Sequence, residues 1–119
     1  MKKTILLVIA LVLLCCSVSF AIDGFNTWSP AKTADAVIVA RPAHLLGIVI
    51  TADGTNACKV DLYNNATTNS GDKVSYNVAA GEAGTAGFLD TDGAYFNLGI
   101  YADVTIGGAG TCTFNVKYR

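Results

Sequence analysis

Apolar and polar residues alternate along much of the chain after about residue 36. The clearest cases are residues 57–63, 72–79 and 111–118. In the first of these runs every second residue from Cys58 onward is apolar, and the residues between are Lys, Asp and Tyr. A period of two residues predicts a β-strand with one buried face. The alternation therefore predicts sheets that cover a core on one side only.

Shorter β-like runs and turn residues fill the remainder of this region. The predicted strands are 36–40, 44–51, 57–63, 72–79, 88–89, two strands within 95–106 that divide at Gly99, and 111–118. Residues 81–87 (GEAGTAG) are expected to form a flexible connection, and residues 90–93 (DTDG) a tight turn. Apolar residues do not recur at helical spacing over three turns, which predicts little helix. About seven short strands predict an all-β protein, a small antiparallel β-sandwich of jelly-roll or immunoglobulin-like type.

The first 21 residues have a different character. Lys2 and Lys3 precede an apolar run at residues 5–14, and Ser19 and Ala21 are small residues at signal-peptidase positions. This pattern is typical of a secretory signal peptide. The run is shorter than the roughly 20 apolar residues that cross a bilayer, although an uncleaved anchor stays an alternative. We expect a secreted, periplasmic or cell-surface product with no membrane span in its mature part.

Cys15 and Cys16 leave open a third possibility, a lipoprotein acylated on cysteine. Lipidation signals place a small residue just before the modified cysteine, whereas Leu14 is bulky. We therefore predict three segments: a signal peptide at 1–21, a lead-in segment at 22–35, and the β-sandwich domain at 36–119.

Loss of the signal peptide makes the chain more acidic. Lys2 and Lys3 are removed, so Lys and Arg fall from 8 to 6 against 9 Asp and Glu, a net charge of −3. No basic patch is left, which argues against a nucleic-acid partner.

Cys58 and Cys112 are the two cysteines of the mature part. In an exported chain such a pair predicts a disulfide, with two free thiols as the alternative. Each cysteine lies on the apolar face of its own run, so the bridge is expected beside the core, between the third and last strands. Closing a loop of more than fifty residues contributes about 4 kcal/mol in the chain-entropy model.

Reactive groups are sparse. His44 is the one histidine, whereas a zinc site takes three or four ligands, and no G-x-S-x-G motif marks a nucleophile. Asp90 and Asp92 before Gly93 are a weak calcium candidate, because calcium takes six to eight oxygens and the D-G pair is also typical of a turn. We predict a protein that is not an enzyme and has no cofactor.

Two further patterns concern glycans. The sequence Asn65-Ala66-Thr67 fits an N-glycosylation sequon in a polar loop. A carbohydrate-binding site would need aromatic faces with polar neighbours. The candidates for such ligand contacts are Tyr63, Tyr76, Tyr95, Tyr101, Asn64 and Asp92.

Two loose resemblances add to this picture. Residues 60–71 (VDLYNNATTNSG), 99–101 (GIY) and 113–119 (TFNVKYR) resemble small β-sandwich proteins of phages and virions. That resemblance implies a structural or decoration role without catalytic residues. The signal peptide departs from it, since virion proteins assemble inside the cell, and points to a surface counterpart.

The last run also resembles the C-terminal strand of chaperone–usher pilins, with Tyr118 as the penultimate residue. This resemblance implies a donor strand that completes a neighbour's sheet, for which residues 36–40 are the candidate. The chain is small for that family, and its cysteines lie in a different part of the sequence.

The leading hypothesis is a non-enzymatic structural module that associates with itself or with an envelope component. Its expected contact is the first strand or the lead-in segment with Trp28, because exposed strand edges pair readily. The alternative is an extracellular carbohydrate-binding module.

Overall fold

A computed structural model describes residues 26–119 of the chain, apart from the side chains of residues 83 and 89–92. The predicted signal peptide and the lipidation candidates Cys15 and Cys16 lie outside the described residues. This part of the chain is all-β and has eight strands. They are β1 (Thr27–Trp28), β2 (Ala36–Val39), β3 (Ala43–Asp53), β4 (Cys58–Asn64), β5 (Lys73–Val78), β6 (Ala83–Phe96), β7 (Ile100–Ile106) and β8 (Cys112–Tyr118).

The strands form two antiparallel sheets of four. Sheet A has the order β1-β8-β3-β6, and sheet B has the order β2-β7-β4-β5. First pairs with last, second with seventh, third with sixth and fourth with fifth, so a folded ribbon wraps around one core. This nesting is the jelly-roll topology. An immunoglobulin-like sandwich would instead keep its first two strands together in one sheet.

The core lies between the inner faces of the two sheets. The alternation predicted for β4, β5 and β8 is confirmed, since every second residue of each strand points inward. The largest fully buried side chains are Phe114, Leu45, Ile48, Ile50, Leu62, Ile100, Val60 and Val116. Burial of these apolar side chains, each of which removes its surface from water, is the main force that holds the sheets together.

The predicted disulfide is confirmed and links the two sheets. Cys58 opens β4 in sheet B and Cys112 opens β8 in sheet A, with their Cα atoms 5.8 Å apart. Both residues are only 1% exposed. The bridge therefore closes one end of the core.

The prediction for residues 81–96 was wrong in its details. Residues 83–87 are not a flexible connection but the start of the 14-residue strand β6, which also includes the predicted turn at 90–93. Gly47 of β3 pairs with Leu89 of β6, and Leu45 pairs with Ala94. Residues 90–93 therefore bulge out opposite the single residue Leu46. The strand continues because β3 offers a pairing partner on both sides of the bulge.

The sheet begins inside the predicted lead-in segment. Ser29 donates its backbone N–H to the carbonyl of Val116 at 2.8 Å and accepts the Val116 N–H on its Oγ at 2.9 Å. Lys32 donates its N–H to the carbonyl of Phe114 at 2.9 Å and accepts the Phe114 N–H in return. Together with β1, these bonds cover the edge of β8. β1 is therefore a strand that the alternation did not predict.

Candidate functional site: a polar sheet face and an open sheet edge

Two of the predicted ligand contacts meet on the outer face of sheet B. Tyr63 on β4 lies directly opposite Tyr101 on β7, because the register of the two central strands pairs them. On the other side Tyr63 is opposite Lys73, whose Nζ lies 5.3 Å from the centre of the Tyr63 ring and 3.4 Å from its hydroxyl. Both tyrosines are partly exposed. The geometry thus gives an aromatic pair with an ammonium group at one end.

A row of carboxylates crosses the same face one step along the strands. Asp61 is almost buried and lies directly opposite Asp103 on β7. Its Oδ2 is 2.8 Å from the Nζ of Lys73 and 3.0 Å from the Nζ of Lys59. Burial raises the pKa of Asp61, but the Lys73 ammonium, the Ser75 hydroxyl and the Lys59 ammonium together hold that pKa below its usual value. The two lysines therefore offset the repulsion between the opposed aspartates.

Bonds within the protein also engage the rest of this polar row. Asn69, in the loop after β4, donates its Nδ2 to Oδ2 of Asp103 at 3.2 Å. Asp35 accepts the backbone N–H of Val104 on its Oδ1 at 2.8 Å. Within the part of the chain that the structure describes, no three His, Cys, Asp or Glu side chains are grouped so as to hold a metal ion. The side chains of the calcium candidates Asp90 and Asp92 lie outside the described residues.

Two other predicted contacts, Asn64 and Tyr95, line a cleft of about 150 Å³ at one end of the sandwich, next to Lys73. Asn64 donates its Nδ2 to Oδ1 of Asn97 at 2.6 Å and accepts the Leu98 N–H at 3.0 Å. Tyr95 is 59% exposed. The cleft and the tyrosine pair are thus neighbouring features of one surface and share Lys73.

The remaining candidates serve the fold. Tyr76 points toward the core, where its ring lies 5.2 Å from that of Phe88. The ring of His44 lies 4.9 Å from that of Tyr95, with Nδ1 3.1 Å from the Gly93 carbonyl oxygen. His44 therefore supports the exposed Tyr95, whereas Tyr76 contributes to the core.

The sequon asparagine is engaged in its own loop. Oδ1 of Asn65 accepts the backbone N–H groups of Thr67 at 2.9 Å and Thr68 at 3.2 Å. Its Nδ2 donates to the carbonyl and the hydroxyl of Ser70. This is an Asx turn, a local structure that asparagine side chains commonly form. The residue therefore has a structural role that explains its presence.

The outer face of sheet A holds the tryptophan of the predicted lead-in segment. Trp28 is 45% exposed, and the Nζ of Lys117 lies 5.7 Å from the centre of its ring. Trp28, Val49 and Asn115 line a shallow cleft of about 240 Å³. This face is less charged than that of sheet B.

The four strands at the sheet edges differ greatly in length. β1, β2 and β5 have two, four and six residues, whereas β6 has fourteen. Among residues 26–119, β6 is last in the order of sheet A and pairs with β3 alone. Residues 83–89 (AGTAGFL) contain no charge and no proline. Natural proteins protect sheet edges by short strands, charges or proline, and this half of β6 has none of these. Sequence reasoning missed the edge because its glycines predicted a connection.

The strand proposed as a pilin-like donor lies within the chain's own fold. Residues 36–39 are β2, which pairs with β7 of the same chain and has Val37 42% exposed.

The chain matches no family model, no curated protein and no solved structure. Between residues 26 and 119 no helix has the length and apolar character needed to cross a membrane.

Proposed function

We propose that this protein is a non-enzymatic structural module, exported to the cell surface or beyond, that assembles with copies of itself or with an envelope component. The observation that carries the proposal is the first half of β6. It is a long, uncharged edge whose backbone has one partner strand within the described part of the chain. Such an edge readily pairs with a strand of another chain.

The chemistry of the surface also supports assembly. The sole histidine is engaged by Gly93 and Tyr95, and the buried carboxylate of Asp61 is engaged by two lysines. The jelly roll itself occurs in capsid proteins and in lectins, so the fold alone does not choose between building and binding. The open edge favours building. The buried Cys58–Cys112 bridge is compatible with an oxidising compartment.

The test is the mass of the protein in solution. The full chain is expressed with its own N-terminal segment, recovered from the oxidising compartment, and measured by light scattering over a concentration series. We expect species larger than one chain, whose mass grows with concentration. A strict monomer at every concentration, alone and mixed with an envelope extract, would contradict the proposal.

The tyrosine pair favours a second candidate, a carbohydrate-binding module. Tyr63 and Tyr101 lie side by side on one sheet face, with Lys73 and the Asp103–Asn69 pair close by. Aromatic surfaces flanked by polar groups suit the faces and hydroxyls of sugars. A glycan array tests it: binding that is lost in Tyr63→Ala and retained in Tyr76→Phe would support this function, and a flat response would remove it.

A further inference from the structure

We infer that β6 pairs with β6 of a second copy, antiparallel and centred on Ala86, so that two A sheets join into one of eight strands. This inference rests on the proposed function and specifies its partner and contact. Four independent features of residues 83–89 support it: an unexplained glycine, the register, a cleft, and the absence of charge.

Nothing among the described residues requires a glycine at position 87. A Cβ atom added to Gly87 would have no heavy atom of these residues within 4 Å, and its φ is not in the positive region that favours glycine. Glycine within a strand weakens the strand, and it often marks a place where another backbone approaches closely. Gly84 is equally open, although its φ of +114° gives it a conformational reason to be glycine.

The register of such a pair places suitable side chains together. Centred on Ala86, an antiparallel pair sets Thr85 opposite the second copy's Gly87 and Phe88 opposite its Gly84. Phe88, Ala86 and Gly84 all belong to the inner face, since they pair with the buried Ile48, Ile50 and Ala52 of β3. Directly opposite residues in an antiparallel pair share one face of the sheet. An aromatic residue opposite an edge glycine is a stabilising cross-strand arrangement.

A cleft lies where the phenylalanine of the second copy would arrive. It has a volume of about 160 Å³. Its lining residues are Val78, Glu82, Gly84, Thr85 and Ala86. The cleft thus lies between the end of β5 and the open edge of β6, on the side of Gly84. A ring seated there would cover the exposed Gly84 and Thr85 and the partly exposed Ala86.

The charge pattern favours a copy of the same chain. Pairing a strand with itself brings like residues together, which is costly when they are charged. Residues 83–89 contain no charged residue, and the nearest ones, Glu82 and Asp90, flank the stretch on either side. In this register Glu82 of one copy would lie opposite Asp90 of the other, which limits favourable pairing to these seven residues. Because only about seven residues of each copy take part, we expect association that depends on concentration.

Charge substitution tests this contact. Gly87→Lys places an ammonium group on the edge, at a site where one chain has room for it. Thr105→Lys is the matched control, since Thr105 is exposed on β7, a central strand of the other sheet. We expect Gly87→Lys to weaken association at least tenfold and Thr105→Lys to leave it unchanged. Thermal unfolding of each variant shows whether it folds.

Crosslinking is the second measurement and does not depend on the stability of Gly87→Lys. Ala86→Cys would face itself across the two-fold axis at a Cα separation that a disulfide can span. We expect a covalent dimer on a non-reducing gel for Ala86→Cys and none for Thr105→Cys. If the protein assembles but both lysine variants behave alike and Ala86→Cys stays monomeric, this contact is wrong and the assembly proposal stands. If the unmodified protein stays monomeric alone, this contact is wrong, and if it also stays monomeric with an envelope extract, the assembly proposal falls too.

Discussion

The two sheets share one kind of inner face and differ in what they present outward. Sheet B carries Tyr63, Tyr101 and a row of aspartates, and its charged groups already bond to one another. Sheet A carries mostly uncharged residues on its outer face, among them Trp28 and Asn115, and ends in the 14-residue edge strand β6. Charged side chains thus pair with one another on sheet B, whereas sheet A ends in a long edge strand that pairs with β3 alone among the described residues.

This difference shows where the sequence is constrained by folding and where it is not. Inner faces are set by the need to exclude water, which applies to both sheets equally. Outer faces and edges are free of that requirement, so their unusual features are better guides to function. We therefore expect the largest loss of stability from removing the disulfide, which both sheets share. Changes at residues that belong to one sheet should cost less.

The disulfide gives the largest effect because it connects the two sheets. Replacing both cysteines, Cys58→Ala with Cys112→Ala, is expected to lower the free energy of unfolding by about 4 kcal/mol. Urea unfolding followed by tryptophan fluorescence and by far-UV circular dichroism measures it. If the two signals stay coincident, the sheets unfold as one unit. Separate transitions would show that each sheet has a stability of its own.

Two glycines, one beside each sheet, give the next largest effect on stability. Gly99 precedes β7 of sheet B with a φ of +122°, and a Cβ there would lie 2.5 Å from the Val39 carbonyl oxygen. Gly99→Ala is therefore expected to cost about 2 kcal/mol. Gly87→Ala on β6 is expected to change stability by less than about 0.5 kcal/mol, because nothing crowds that position.

Chemical denaturation of dilute protein, where association is negligible, measures both alanine variants. A large loss in Gly87→Ala would mean that this glycine serves the fold after all. Close approach of a second chain would then no longer be needed to explain Gly87.

Three strands of the fold were predictable because each has one buried face. In β4, β5 and β8 the alternation of Val, Leu, Phe and Cys with polar residues reports that burial directly. β6 was not predictable, since Gly84, Thr85, Ala86 and Gly87 have no such alternation and become a strand only by pairing with β3. The candidate site was equally hard to predict from the sequence. Tyr63 and Tyr101 become neighbours through a register between strands far apart in sequence, which composition does not reveal.

The loop after β4 provides a smaller effect, confined to sheet B. Asn65→Ala removes an acceptor for two backbone N–H groups and is expected to lower the free energy of unfolding by about 1 kcal/mol. Asn65→Asp is the matched control, since it keeps that acceptor and loses only the amide donor. Urea midpoints compare the three proteins. Equal losses in both variants would assign the role to the amide group that contacts Ser70 instead of the turn.

Acid is expected to have the smallest effect on the free energy of unfolding at moderate pH. It acts on one carboxylate of each sheet. In sheet A, hydrogen bonds from the backbone of Asn56 and Thr55, from the Asn56 side chain and from the Thr111 backbone hold the pKa of Asp53 well below its usual range. In sheet B the pKa of Asp61 is also lowered. A carboxyl group whose pKa is lower in the folded state stabilises the fold fully above its unfolded pKa of about 3.9. That contribution is lost as the pH falls from there through the folded pKa.

Urea midpoints measured from pH 7 down to about pH 2 are therefore expected to be flat above about pH 5 and to fall below about pH 4. Asp53→Asn and Asp61→Asn should each reduce the fall, and Asp53→Asn should reduce it more. Asp53 has the stronger shift because four hydrogen bonds from its own turn and from Thr111 favour its ionised form. At Asp61, burial opposes the two lysines. An acid response that Asp53→Asn leaves unchanged would show that the stability of this turn does not depend on the charge of its aspartate.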